Sequence, residues 1–126
     1  MRKAVLVLAM LAAIATHVSS ATAELGMDLM QTIEDTNKSL ASNIALRDAK
    51  AALTDASELE GLFAQVETHF TGRGDAANAV DLSKQSRSLT QRIIKSVNAS
   101  NFDDATDAAT GLSRTCRTCH TFYKKE

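Results

Sequence analysis

The chain has 126 residues, 14 basic and 15 acidic, 44% of them hydrophobic but only 4% aromatic, with no Pro, no Trp, 5 Gly and 2 Cys. A length under 150 bounds it to one domain, and a formal net charge of -1 gives nucleic acid no electrostatic footprint. The absence of Pro and the few Gly argue against a sheet protein with many tight turns, which leaves an all-α domain as the default.

Met1-Arg2-Lys3 is a short positive region, Ala4 to Ile14 is an unbroken apolar run, and Ala21-Thr22-Ala23 supplies the small residues of an A-x-A cleavage site. Residues 1–23 therefore read as a secretory signal peptide. The run falls short of the roughly 18 to 20 apolar residues that a spanning helix needs. Cleavage leaves residues 24–126 as one domain and removes two basic residues, so the mature chain is mildly acidic and exported. In a bacterium that means the periplasm.

The apolar period then predicts four helices. Met27, Met30, Ile33, Leu40 and Ile44 form one stripe on a first helix over about Leu25 to Leu46. Asp48 caps a second, with Leu53, Ala56, Leu59, Leu62, Phe63, Val66 and Phe70 on its stripe and an end near Phe70. Thr71-Gly72-Arg73-Gly74-Asp75 reads as an exposed connection. A third stripe runs through Val80, Leu82, Leu89, Ile93 and Val97 and dies at Asn98-Ala99-Ser100-Asn101. The fourth carries Phe102, Ala105, Ala109, Leu112, Cys116, Cys119 and Tyr123, with Asp103, Asp104 and Asp107 in its first turns and Lys124 and Lys125 at its close, matching the helix dipole. Helices of this length joined by short connections make an antiparallel bundle.

Cys116-Arg117-Thr118-Cys119-His120 is C-x-x-C-H, the spacing of c-type haem attachment. On a helix, positions i, i+3 and i+4 share a face, so both thiols can meet the two vinyl groups of one porphyrin while the imidazole of His120 reaches its iron. Three other uses compete. A thioredoxin-like dithiol wants the pair at a helix start in a βαβ setting. A structural zinc needs four ligands, and the mature chain adds only His69. A plain disulfide is allowed outside the cell but leaves the adjacent His unexplained.

With the motif on the last of four helices, the ending Cys116-Arg117-Thr118-Cys119-His120-Thr121-Phe122-Tyr123-Lys124-Lys125 resembles that of the class II c-type cytochromes, the group of cytochrome c prime and its low-spin relatives. The resemblance implies an antiparallel four-helix bundle enclosing one covalent haem c, with thioethers at Cys116 and Cys119 and His120 as proximal iron ligand. It implies a soluble electron carrier rather than an enzyme, meeting redox partner proteins of an electron-transport chain, and a homodimer through the first two helices as the family often forms.

The sixth iron position decides the role. A Met there gives low-spin iron with a raised potential, suited to electron transfer; an aliphatic residue leaves the iron open to NO or CO. In the family the distal residue lies about four turns before the first helix ends, which falls near Met30. Met27 is the rival one turn earlier, and His69 would make a bis-imidazole site. Outside a haem protein both methionines read as adaptable core residues, and His69 as a complement to its helix end. Phe122 and Tyr123 read as core packing, and the Ala-rich positions as room for a porphyrin that replaces the missing Trp. Two departures stand: the family's Pro- and Trp-containing stretch before the third helix is missing, and Gly26 stands where cytochromes c prime often carry an Arg.

Overall fold

A computed structural model describes residues 26–123. The signal peptide expected over 1–23, Leu25, and the basic Lys124 and Lys125 lie outside the described residues. Four helices follow one another: α1 (Met27–Ala45), α2 (Ala49–Arg73), α3 (Ala77–Asn98) and α4 (Phe102–Tyr123). The described residues hold no strand, and none of their helices is long and apolar enough to cross a membrane.

Local chemistry sets the breaks. After α1, Arg47 adopts a left-handed conformation (φ 55°), its N–H donating to the Ile44 carbonyl at 3.0 Å and the Asp48 N–H to that of Asn43 at 2.9 Å. That is the Schellman ending, here without glycine. The Asp48 carboxylate then accepts from the Ala51 N–H at 3.0 Å and caps α2. The same ending closes α3 at Ser100 (φ 57°). Asn101 caps α4 by accepting from the Asp104 N–H at 3.1 Å.

One boundary differs from expectation. α2 runs through Thr71, Gly72 and Arg73, and the chain turns only at Gly74, with φ 73°. A single Gly inside a helix costs about 1 kcal/mol, which the packing of Phe70 outweighs; the left-handed turn is what stops the helix.

Each helix packs on its two neighbours in the ring α1–α2–α3–α4, with α1 and α4 touching least, and among the described residues the diagonal pairs do not meet. Three-residue connections make neighbours antiparallel. The start of α1, the end of α2, the start of α3 and the end of α4 therefore share one end of the bundle. Leu40, Leu59, Ile93 and Leu112, one from each helix, are all fully buried in its core.

The buried faces hold more hydroxyls than the apolar period suggests. On α3 the inner positions are Ala79, Ser83, Ser86, Thr90, Ile93, Ser96 and Val97, while Val80, Leu82 and Leu89 are only half-buried. Ser83 donates to the Ala79 carbonyl at 2.6 Å, Ser86 to Leu82 at 2.9 Å and Thr90 to Ser86 at 2.7 Å. A small hydroxyl bonded one turn back needs no other partner, so it serves as a slim spacer where α3 lies between α2 and α4. Buried alanines occur toward both ends of the bundle: Ala52, Ala56, Ala105 and Ala108 lie toward the end away from Cys116–His120, and Ala76 and Ala79, at the start of α3, lie at the end that holds the motif.

Candidate functional site

The C-x-x-C-H segment occupies the last turns of α4. Leu112 and Thr115 are buried just before it, the Thr115 hydroxyl donating to the Gly111 carbonyl at 3.1 Å. Cys116 packs against the apolar cluster and Cys119 is half-buried. Arg117, Thr118 and His120 are exposed. One face of a helix thus turns two thiols toward the bundle, with the imidazole at its margin.

Both thiols are free. Burial, and secondarily the neighbouring Cys119, pushes the Cys116 thiol up to about 11; burial also raises Cys119. A reactive dithiol has its pKa lowered, at a helix N-terminus or beside a cation. This pair has the opposite environment at the opposite end of a helix. Among the described residues no three His, Cys, Asp or Glu side chains gather as a metal cage.

The partner across the bundle is found by register. Asn37 on α1 donates from Nδ2 to Ser113 Oγ on α4 at 3.5 Å. Met30 is seven residues before Asn37, and His120 is seven after Ser113. Seven residues are about two turns and roughly 10 Å of helix, and the helices run antiparallel. Met30 and His120 therefore sit on one level, on the facing sides of the seam between α1 and α4, the least tightly packed of the four.

Met30 is half-buried and packs against the core. Met27 is 88% exposed and does not continue the buried stripe. Met30 already lies at one edge of that stripe, and three residues earlier the helix has turned about 60° further round. His69 is half-buried near the end of α2, edge-on to Phe70 with ring centroids 5.0 Å apart. Its helix lies diagonally across from α4.

Phe122 is 60% exposed, which corrects its reading as core. The last turn of α4 runs level with the first turns of α1 and α3, where the core ends. The Tyr123 side chain lies outside the described residues. Asn37 and Ser113, the pair that fixes the register, carry no signal in the apolar pattern because both are polar residues beside it. Two shallow surface grooves, one of Glu67, Lys84, Arg87, Ser88 and Gln91 and one around Ser39, Asn43, Asp48 and Asp55, involve none of the motif's side chains.

No protein-family model matches the chain, and no curated protein or solved structure is significantly similar to it.

Proposed function

We propose that the protein is an exported mono-haem c-type cytochrome of the class II kind, an electron carrier of the periplasm rather than an enzyme, with Cys116 and Cys119 as thioether anchors, His120 as proximal ligand and Met30 as distal ligand. One observation carries this reading: Met30, half-buried, lies level with His120 across the loosest seam of the bundle, next to two half-buried free thiols three residues apart. Its neighbour Met27 is exposed, and His69 belongs to the helix diagonal to α4.

A haem c held there supplies a one-electron iron couple. The chain's own work is binding and tuning. Cys116 and Cys119 would tie the group to α4, His120 would offer an imidazole nitrogen to its iron, and Met30 a soft sulfur of the kind that raises the potential. Ile33, Val66 and Phe70, all buried toward this end, keep water from the core side and so favour the less charged, reduced state. With that group bound, one electron would be taken from a reduced partner and passed to an oxidised one. No bond forms or breaks in the chain, and no proton need move.

The test is production in a host with a working haem-attachment system. A pigment that stays with the chain on denaturation, low-spin ferrous bands and a weak ferric band at the red limit indicating Met sulfur are the expected result. A colourless mature protein overturns the reading. A high-spin spectrum that changes promptly with CO removes Met30 as ligand and favours an NO- or CO-binding protein.

A further inference from the structure

Six arginines lie among the described residues, and four of them are engaged. Arg47 stacks over the Phe102 ring at 5.8 Å, and Arg73 pairs with Asp75 at 3.2 Å. Arg87 bridges Glu60 at 2.8 Å and Glu67 at 2.9 Å, and Arg92 pairs with Asp104. Arg114 and Arg117 have no ion pair or ring contact with any described residue. Both are exposed, one turn apart on α4, and Arg117 stands between the two cysteines.

Nor does the adjoining chain neutralise them. After Asp107 no acidic residue follows until Glu126, while Arg114, Arg117, Lys124 and Lys125 do. Across the seam Glu34 pairs with Lys38 at 2.7 Å, while the Asp35 carboxylate accepts only from the neutral Gln31 amide at 3.0 Å and keeps its charge. A chain with a slight overall acidic excess thus carries two exposed arginines, one turn apart and without an ion pair among the described residues, beside its candidate site.

We propose that the exposed face of α4 around Arg114 and Arg117 is the docking surface for an acidic face of a protein redox partner, bringing that partner's electron donor or acceptor to the Cys116–His120 end. The proposal rests on the haem reading above. Exposed charges of one sign speed and orient encounters with the opposite sign, within about a Debye length of roughly 10 Å at 0.1 M salt. They act on association more than on dissociation. Guanidinium groups suit carboxylates because they bond them in pairs.

The experiment uses the pigmented full protein and a poly-L-glutamate surface at low salt. Arg114→Glu with Arg117→Glu is expected to weaken binding about tenfold or more, at the lower end of what steering supplies. Lys84→Glu with Lys95→Glu, an equal charge change on exposed positions of α3, is expected to leave it within about twofold. Electron exchange with hexacyanoferrate should slow in the arginine variant, and exchange with hexaammineruthenium should speed up. Equal losses in the two double variants overturn the proposal, because net charge alone then explains binding. Tighter binding of the wild type to phosphatidylglycerol vesicles than to polyglutamate also overturns it and makes the face a membrane contact. The visible band of the same samples separates the two ideas: a pigmented protein without the arginine effect sinks the docking face alone, and a colourless one sinks the haem reading on which it rests.

Discussion

Asn37 on α1 meets Ser113 on α4 through a single 3.5 Å hydrogen bond, and that contact marks the register of the two helices. At the long end of hydrogen-bond geometry it contributes little energy, under about 1 kcal/mol. Its worth is as a ruler. Two turns along, the same register brings Met30 level with His120.

On the proposed haem reading, Met30→Ala should convert low-spin iron to high-spin and open it to CO, while Met27→Ala and His69→Ala leave the visible spectrum unchanged. Spectra of the three variants with and without CO check this. An unchanged Met30→Ala spectrum moves the distal assignment to another side chain.

Two helical glycines should respond oppositely to alanine. A Cβ at Gly61, exposed in mid-α2, meets nothing within 4 Å, so Gly61→Ala should stabilise by about 0.5–1 kcal/mol through helix propensity alone. At Gly111 a Cβ would meet Leu89 Cδ2 at 3.3 Å. Here the same gain is offset by displacing Leu89, so Gly111→Ala should be near neutral. Gly111→Val should cost about 1–3 kcal/mol, read as urea midpoints at constant slope.

The buried core leucines and the hydroxyl seam separate size from polarity. Leu112→Ala empties a fully buried site and should cost about 2–5 kcal/mol. Ser83→Leu overfills a position that is 3% exposed and should cost about 1–3 kcal/mol. Thr90→Val keeps the volume and removes a hydroxyl whose bonds are all to its own helix, so about 1 kcal/mol or less is expected. Chemical denaturation orders the three.

With its cysteines as free thiols, the chain carries a pH signature at Cys116. The thiol's usual value of 9.0 is raised by burial to about 11. The unfolded chain loses this proton first, so the contribution is fully present below pH 9 and is lost as pH climbs from about 9 to 11. At about 1.4 kcal/mol per unit, discounted for partial exposure, the loss is roughly 2 kcal/mol. Subtracting the stability profile of Cys116→Ala from that of wild type isolates it. A difference that stays flat to pH 11 contradicts the burial of the thiol.

The sequence by itself determined the helices and the motif. Leu59, Phe63, Val66 and Phe70 recur at threes and fours, Asp48 and Asn101 are caps by composition, and C-x-x-C-H carries its meaning in its spacing; all of these are local relations within one or two turns. It misassigned Met27, Phe122 and the inner face of α3, because burial depends on where neighbouring helices begin and end and on how close they come, and no single-helix period contains that. Hydroxyls bonded to their own helix, as at Ser83 and Thr90, look polar in a sequence and behave as small spacers in a bundle. The same limit governed the two features that matter most at the site. That Met30 lies level with His120, and that Arg114 and Arg117 alone among the described arginines lack an ion pair or ring contact, follow from contacts between segments up to 76 residues apart, and only the packed helices decide those.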